Sequence, residues 1–228
     1  MKIAEIYNSP QGEGFLTGAD STFVRASGCN LRCWYCDTPY TSWHPEGEDL
    51  SVHEILARVE KIARPHVVIT GGEPMLYSEL IPLTTDLRAR GSHITIETAG
   101  TLYLPVACDL MSISPKLANS TPSRAQSRHW SGRHERTRHA PQVVRRLVSE
   151  YPYQIKFVVD VRSDCESVEE YLRELVEIDR SHVMLMPQGT DHEALLRAAE
   201  WLEPYCREHQ LHFCPRKHIE WFGLVRGT

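Results

Sequence analysis

The chain has 228 residues, of which 41% are hydrophobic, with a formal net charge of −5 and seven cysteines. This length suits a single α/β domain with one core, and the acidic balance argues against general binding to nucleic acid. No apolar run approaches the roughly 20 residues of a membrane span. Residues 1–5 lack the apolar core of a signal peptide, so we expect a cytoplasmic protein.

Two β-strands separated by a glycine-containing loop are predicted at the start of the chain. Residues 2–7 and 21–27 have β-type patterns, and residues 8–14 contain a proline and two glycines that are typical of a turn. Gln11 and Glu13 stand beside these glycines and could present an amide and a carboxylate to a polar ligand. Arg25 is a candidate clamp for a carboxylate. A surface turn and a surface salt bridge are the alternatives.

A cysteine cluster follows the second strand. Cys29, Cys33 and Cys36 lie within eight residues at the spacing C-x3-C-x2-C. Thiolates bind zinc, copper(I) or iron–sulfur clusters, and a site that does chemistry keeps one coordination position open. A cubane cluster on three thiolates would leave one iron for a ligand from outside the chain. Zinc with His44 as a fourth ligand is the alternative, and the other four cysteines are interpreted as buried hydrophobes.

The next segment predicts a helix, a strand and a ligand-facing turn. Ser51 and Glu54 form a predicted capping box for a helix that ends before Pro65, and residues 66–70 are typical of a buried strand. A helix with apolar residues to Leu87 is expected after the turn. Glycines let a backbone approach a ligand closely, and we expect the turn to supply a charge at the strand end. The turn consists of Gly71, Gly72, Glu73 and Pro74.

Strands and helices continue to alternate towards the end of the chain. Strands are predicted over 93–97, 109–113, 154–159, 182–186 and 211–214, and helices over about 168–178 and 191–209. This alternation predicts an α/β fold with a mostly parallel sheet, either open or a partial barrel. Ligands bind at the carboxyl ends of such strands. The polar segments expected there include Glu97, Ser114, Pro115, Lys116 and Gln188.

Residues 119–140 interrupt the alternation. They contain five arginines, three histidines and a single acidic residue, and they show no apolar periodicity. We expect a solvated, mobile insertion. Contact with phosphate or RNA, or a second metal on the histidines, is the alternative.

The cysteine spacing, with an aromatic residue before the last cysteine, resembles the signature of the radical S-adenosylmethionine enzymes. The resemblance implies a [4Fe-4S] cluster on the three thiolates and an electron donor such as flavodoxin or ferredoxin. It also implies that S-adenosylmethionine binds the open iron and is cleaved to methionine and a 5'-deoxyadenosyl radical. The turn at residues 71–74 is similar to the superfamily's motif for the methionine amino group.

Further motifs resemble the 7-carboxy-7-deazaguanine synthase family over nearly the whole chain outside the insertion. The resemblance implies a homodimer with a shortened partial (β/α) barrel. It also implies the conversion of 6-carboxy-5,6,7,8-tetrahydropterin to 7-carboxy-7-deazaguanine with loss of ammonia, a step towards queuosine and other 7-deazapurines. The motifs are residues 11–14, Arg25, residues 36–38, Thr70, residues 97–100, residues 114–116 and the tail from Arg216.

Residue by residue, the resemblance implies a set of ligand contacts. Thr38 is similar to a magnesium ligand beside the cluster, and Arg25 is expected on the substrate carboxylate. The implied pterin contacts are Gln11, Gly12, Glu13, Arg25, Thr70, Glu97, His218 and the terminal carboxylate at Thr228, where proline is more usual. The implied contacts to S-adenosylmethionine are Tyr35, Cys36, Asp37, Gly71, Gly72, Glu73, Ser114, Pro115, Lys116 and Gln188.

Two other functions are compatible with parts of the sequence. An activating enzyme for a glycyl-radical protein would share the cysteine motif, but the early group of Gln11, Glu13 and Arg25 suits a small anionic molecule better. A zinc-dependent RNA-binding module would use the insertion, but this function would not explain the downstream glycines.

Overall fold

One nine-stranded sheet runs through the chain. The computed structural model describes residues 1–228. The strands are β1 (Lys2–Pro10), β2 (Asp20–Ala26), β3 (Glu48–Asp49), β4 (His66–Gly71), β5 (His93–Thr98), β6 (Leu110–Ile113), β7 (Tyr153–Val159), β8 (Val183–Pro187) and β9 (His212–Phe213). Their order is β3-β1-β2-β4-β5-β6-β7-β8-β9, with β1 antiparallel to both its neighbours and every other pair parallel. The predicted α/β fold with a mostly parallel sheet is confirmed, and the sheet stays open.

Eight helices connect or flank the strands. They are α1 (Pro39–Ser42), α2 (Val52–Ile62), α3 (Leu80–Ala89), α4 (Arg128–Arg138), α5 (Pro141–Glu150), α6 (Asp164–Glu174), α7 (His192–Glu208) and α8 (Lys217–Phe222). Five of them, α2, α3, α5, α6 and α7, return the chain between parallel strands. The carboxyl ends of those strands therefore meet at one edge of the sheet, where ligands bind in such folds.

Local sequence signals explain where several helices begin. The hydroxyl of Ser51 accepts a hydrogen bond from the backbone N–H of Glu54 (3.3 Å), and the carboxylate of Glu54 accepts one from the backbone N–H of Ser51 (2.8 Å), which is the predicted capping box of α2. The carboxylate of Asp191 accepts from the N–H of Ala194 (2.8 Å) and caps α7 as expected.

The core lies on both faces of the central strands. Val67, Val68 and Ile69 of β4 are completely buried, and so are Ile94 and Ile96 of β5. A parallel strand with helices on both sides has no solvent face, so its residues form a continuous apolar run instead of an alternating one. This burial holds the strand ends, and the polar residues that follow them, in fixed positions.

Several predicted boundaries were wrong. Strand β1 continues to Pro10, because its far half pairs only with β2 and a proline is tolerated where one strand edge is free. The helix expected directly after Glu73 is only a short 3-10 turn, Pro74–Leu76, and α3 begins at Leu80. Helix α6 lies four residues earlier than predicted. The sequence reasoning also missed α1, α5 and α8.

The insertion is the largest correction to the predicted fold. The residues expected to be solvated include α4, whose first turn is capped by the hydroxyl of Ser127. His134 in this helix is completely buried. Apolar periodicity could not predict this helix, because its inner face consists of polar and aromatic residues.

Candidate active site

A cavity of about 580 Å³ opens at the carboxyl ends of the parallel strands. Its volume is typical of a site for a small molecule. Its walls come from the loop after β1, the cysteine loop, the ends of β4 to β8 and the C-terminal tail. The predicted site residues that line it are Gln11, Gly12, Glu13, Arg25, Cys29, Cys33, Tyr35, Cys36, Asp37, Thr38, Thr70, Gly71, Gly72, Glu97, Ser114, Lys116, Gln188, His218 and Thr228.

The register of the sheet explains why polar residues meet in the cavity. Arg25 of β2 lies opposite Thr70 of β4, and Glu97 of β5 lies opposite Ser112 of β6. Residues at the same level of neighbouring strands point to the same face. The sheet therefore presents one polar row, although the four residues are far apart in the sequence.

The three clustered cysteines all face the cavity. The thiol sulfur of Cys36 accepts a hydrogen bond from the hydroxyl of Ser42 (3.1 Å), and that of Cys29 accepts from the N–H of Leu31 (3.4 Å). Burial raises the pKa of Cys33 to about 12, and burial together with the nearby Glu73 raises the pKa of Cys29 to about 12. Without a metal these thiols keep their protons, so a bound metal would take the place of those protons.

This donor set fits a cluster better than a single ion. No three His, Cys, Asp or Glu side chains lie close enough together to hold one metal ion. In a cubane, each thiolate binds a different iron atom, so the thiolates stand farther apart than around one zinc. His44, the proposed fourth zinc ligand, is exposed and does not line the cavity. The three thiols therefore suit a cluster that keeps one iron open.

The double glycine brings the end of β4 against the cysteine loop. The N–H of Gly72 donates to the carbonyl of Ala26 (3.0 Å), and the N–H of Glu73 donates to the carbonyl of Gly28 (2.9 Å). A Cβ atom on Gly71 or Gly72 would overlap with these same backbone carbonyls. The glycines line the cavity as predicted, but their absence of side chains is needed for this close approach of two backbone segments.

The position of Glu73 corrects one expectation. Its carboxylate is completely buried and does not line the cavity. It accepts hydrogen bonds from the hydroxyl of Thr98 (2.9 Å), the N–H of Ala99 (2.9 Å) and the N–H of Met75 (3.1 Å). Glu73 therefore ties the turn after β4 to the end of β5 and does not present a charge to a ligand. Pro115 is also buried behind the cavity wall.

A buried group of charges forms another part of the cavity wall. The ammonium of Lys156 lies 2.7 Å from the carboxylate of Glu13 and 3.6 Å from that of Glu97. Arg216 pairs with Glu13 at 3.3 Å and with Asp37. Burial alone would raise the pKa of Glu13, but the adjacent Lys156 and Arg216 hold it below its ordinary value. Glu13 is therefore ionised.

Lys156 and Arg216 are site residues that the sequence reasoning missed. Both line the cavity and are nearly buried. The sequence does indicate a buried partner for Lys156, because a lysine within an otherwise apolar central strand needs one. Its partner Glu13 lies 143 residues earlier in the chain, and no local pattern links the two.

The amide and hydroxyl groups of the cavity form a connected network. The side chain of Gln11 donates to the carboxylate of Glu97 (3.2 Å) and accepts from the N–H of Glu13 (3.1 Å). The hydroxyl of Thr70 donates to the other oxygen of Glu97 (2.7 Å). His218 lies 3.8 Å from Glu13 and packs against Gly12, where a larger residue would not fit. These contacts fix the orientation of the carboxylates towards the cavity.

Arg25 combines a salt bridge with a position on the cavity wall. Its Nε donates to Glu5 (2.6 Å), and one terminal nitrogen donates to the hydroxyl of Tyr7. The other terminal nitrogen, Nη1, makes no hydrogen bond within the chain. The guanidinium is thereby fixed in place with one donor group left for a ligand.

Two further hydroxyls lie near the clustered thiols. Thr38, at the N-cap of α1, has its oxygen 3.9 Å from the sulfur of Cys36 and 3.2 Å from the hydroxyl of Thr41. The ammonium of Lys116 donates to the hydroxyl of Ser114 (2.6 Å) on the same side of the cavity.

The insertion contacts the cysteine loop directly. The backbone N–H of Arg32, between the first two cluster cysteines, donates to Nδ1 of His134 (3.0 Å), whose Nε2 lies 2.8 Å from the hydroxyl of Ser120. The indole N–H of Trp34 donates to the carbonyl of Asn119 (2.7 Å). Burial lowers the pKa of His134 to about 4, so its ring is neutral near pH 7. The insertion thus supports the loop that carries the thiols.

Comparison with known protein families identifies the superfamily of this chain. Residues 23–119 match the model of the Radical SAM superfamily. The fold and the three-cysteine site define a radical S-adenosylmethionine enzyme, and membership in this class implies a [4Fe-4S] cluster and S-adenosylmethionine as cofactors.

Relatives that match nearly the whole chain identify the family within this superfamily. The chain is 45% identical to the 7-carboxy-7-deazaguanine synthase of Rhodopirellula baltica, over 100% of this chain and 89% of the relative. It is 40% identical to that of Halobacterium salinarum, over 96% and 89%. The crystal structure of QueE from Escherichia coli superimposes with a TM-score of 0.71 at 25% identity, covering 95% of this chain and 94% of QueE. The chain belongs to the 7-carboxy-7-deazaguanine synthase family of radical lyases. None of its helices has the length and apolar character needed to cross a membrane.

Proposed function

We propose that the chain converts 6-carboxy-5,6,7,8-tetrahydropterin to 7-carboxy-7-deazaguanine with loss of ammonia, in the biosynthesis of queuosine and other 7-deazapurines. The observation that carries the proposal is one cavity that is lined both by three thiols and by ionised Glu13 with its buried partners. The product named for the full-length relatives supports this assignment.

One group of cavity residues is suited to binding the cluster and S-adenosylmethionine. Cys29, Cys33 and Cys36 would hold the cluster, and Gly71 and Gly72 line the cavity beside them, where S-adenosylmethionine would bind. When bound, the cluster and S-adenosylmethionine supply the one-electron chemistry that removes a hydrogen atom from C6 of the substrate. This chemistry requires the protein to hold the reacting atoms about 3–3.5 Å apart and to exclude water.

The charged wall suits the polar edge of a pterin. The ring and its amino group carry N–H donors, and the carboxylates of Glu13 and Glu97 are acceptors held in fixed orientations. Nη1 of Arg25 is the available donor for the substrate carboxylate, which makes a charge-assisted hydrogen bond. The remaining implied contacts, from the tail at His218 and Thr228, close the cavity on the pterin side.

We further propose that Thr38 binds Mg²⁺ together with substrate oxygens and water. Magnesium prefers oxygen ligands and seldom has a cage made only of protein groups, which agrees with a single hydroxyl at the cavity wall. Exchange of Thr38 for Ala is expected to lower turnover and to weaken its dependence on magnesium. Thr85→Ala, at an exposed position of α3, is the matched control. Kinetics of Thr38→Ala that match the wild type would refute the metal assignment.

A homodimer in the cytoplasm is the proposed working form. An apolar surface near the C-terminus, made of Trp221, Phe222, Leu224 and Val225, is exposed in the single chain and supports an interface there. Sedimentation should give twice the mass of one chain. A single-chain mass at micromolar concentration would contradict the dimer.

The conversion itself can be tested with the reconstituted enzyme. Incubated without oxygen with S-adenosylmethionine, dithionite and 6-carboxytetrahydropterin, it should form a product with the mass of 7-carboxy-7-deazaguanine, and Cys33→Ser should form none. The protein could instead be brown and cleave S-adenosylmethionine but leave this pterin unchanged. That result would indicate another substrate, such as a glycyl-radical protein. A colourless protein with stoichiometric zinc would overturn the radical chemistry altogether.

A further inference from the structure

Residues 119–140 form a strongly positive surface on an acidic protein. They carry five arginines and one glutamate, a net charge of +4, whereas the other 206 residues carry −9. Four of the arginines are exposed. We call these four residues the arginine face: Arg124, Arg128, Arg133 and Arg136.

The positive charge of this face is not neutralised within the chain. None of its four guanidinium groups makes a salt bridge or a hydrogen bond to another residue. Arg138, at the end of the same helix, is instead paired with Glu135, and many exposed arginines elsewhere are paired, such as Arg58 with Glu48. Three of these arginines lie on α4 and Arg124 lies in the turn before it. Unpaired like charges repel one another, so a counter-charge from outside the chain would stabilise them.

The arginine face is fixed beside the cluster-binding loop. The ring of Trp130 has the guanidinium of Arg32 at 4.0 Å and that of Arg133 at 4.9 Å, so the loop and the face share this one aromatic residue. His134 adds a hydrogen bond that joins the helix to the loop, and Trp34 donates one to the carbonyl of Asn119 at the start of the insertion. Trp34, which lies between the last two cluster cysteines, is 42% exposed.

We propose that the arginine face docks an acidic one-electron carrier protein, which supplies the electron that the cluster needs. This inference rests on the proposed function, since only a redox-active cluster at these cysteines requires such a partner. One electron leaves the carrier and one enters the cluster, with no bond or proton exchanged. Complementary charge steers the carrier to the side of the molecule where Trp34 of the thiol-bearing loop is exposed.

A protein partner suits this position better than RNA. The cavity and its charged wall are built for a small molecule, so the reaction needs no nucleic acid. An electron carrier, in contrast, must approach the cysteine loop. The exposed indole of Trp34 gives the face an aromatic contact of the kind enriched in protein interfaces.

The test compares two double charge reversals on the reconstituted enzyme. Arg128→Glu with Arg136→Glu changes the arginine face but leaves Arg133 and Trp130 in place. Arg173→Glu with Arg197→Glu makes the same charge change at exposed, unpaired positions on α6 and α7. A purified acidic flavodoxin is the probe. Its binding is measured by interferometry at about 0.01 M and about 1 M salt, where the screening length falls from about 30 Å to about 3 Å. The rate at which it reduces the cluster is followed by absorbance.

The face variant is expected to bind flavodoxin roughly tenfold more weakly at low salt and to be reduced more slowly by it, with little remaining salt dependence. Its turnover with dithionite should equal that of the wild type, and the control variant should behave normally with both reductants. Wild-type binding and reduction of the face variant would overturn the proposal. Equal losses of flavodoxin binding and reduction in the control variant would also overturn it. Binding of an RNA oligonucleotide through these arginines, with flavodoxin bound elsewhere, would overturn it as well. Absence of the deazaguanine product with dithionite would instead count against the proposed function, independently of the binding result.

Discussion

The ammonium of Lys156 lies 2.7 Å from the carboxylate of Glu13, although one residue stands on a central strand and the other on a loop near the start of the chain. Both side chains are largely buried, and Arg216 and Glu97 complete the group. Burial alone would lower the pKa of Lys156, but the two carboxylates raise it above its ordinary value. The pair therefore stays charged and links the loop, the sheet and the tail around the cavity.

Removal of one partner of this pair should be costly. Lys156→Met leaves the buried carboxylate of Glu13 with Arg216 as its remaining salt-bridge partner beside the ring of His218, and we expect a loss of about 3–5 kcal/mol in the free energy of unfolding. Arg146→Met, which breaks the exposed pair with Glu150, is the control and should hardly change stability. Urea unfolding of both variants measures the difference. Equal, small effects would show that the buried pair contributes no more than a surface pair.

The close contact between β4 and the cysteine loop predicts a second outcome. A methyl group on Gly72 would overlap with the carbonyl of Gly28, so Gly72→Ala should push the loop away and reduce the iron retained after reconstitution by at least half. Gly132→Ala is the matched control, because its Cβ would find ordinary space within α4 and alanine is the better helix former by about 1 kcal/mol. Full iron content in Gly72→Ala would contradict the packing argument.

Substitution of His134 should change the stability of the cluster, although His134 does not line the cavity. His134→Ala leaves the N–H of Arg32 without its buried partner, at a cost of about 1–3 kcal/mol, whereas the hydroxyl of Ser120 still donates to the carbonyl of Leu117. We expect a faster loss of iron in air and an altered electron paramagnetic resonance spectrum of the reduced cluster. His129→Ala, at an exposed position of the same helix, should leave both unchanged. His134→Gln, which can still accept the hydrogen bond, should restore part of the signal, and its failure to differ from Ala would argue against a positioning role.

The stability of the protein should fall on mild acidification because of His66. This residue is buried between the hydroxyls of Ser21 (2.7 Å) and Thr95 (2.8 Å), with His93 packed against its ring. Burial lowers the pKa of His66 to about 4, while the unfolded chain titrates near 6.5. As the pH falls from about 6.5 to about 4, the unfolded state takes up a proton that the folded state does not, so the free energy of unfolding decreases.

Urea unfolding at pH 7 and pH 5 tests this directly. The decrease should be smaller in His66→Gln, which has no group that titrates in this range. His53→Gln, at an exposed position, should retain the full decrease. An identical pH dependence in all three proteins would exclude His66 as its source.

Local sequence signals predicted the parts of the fold that depend on neighbouring residues. The cap at Ser51 and the apolar strand predicted at 66–70 each involve residues close in the chain, and the structure has a capping box at Ser51 and a strand at His66–Gly71. The cavity was also predictable, because parallel strands must bring their carboxyl ends together.

Contacts between distant residues could not be predicted in this way. No pattern in the chain links Lys156 with Glu13, or indicates that Glu73 turns away from the cavity to bind Thr98. Helix α4 was missed for a different reason: it contacts the cysteine loop through a hydrogen bond at His134 and a cation–π contact at Trp130 and not through an apolar stripe. Polar burial of this kind has no periodic hydrophobic signal.

The fate of the hydrogen at C6 of the pterin tests the central claim most directly. The reconstituted enzyme would be supplied with 6-carboxytetrahydropterin that carries deuterium at C6, together with S-adenosylmethionine and dithionite, and both products would be analysed by mass. Because the hydrogen atom returns from 5'-deoxyadenosine during this redox-neutral conversion, our account predicts deuterium in the adenosyl group, recovered in 5'-deoxyadenosine or in S-adenosylmethionine, alongside 7-carboxy-7-deazaguanine. Unlabelled 5'-deoxyadenosine, with the deuterium lost to water, would contradict hydrogen-atom removal in this cavity.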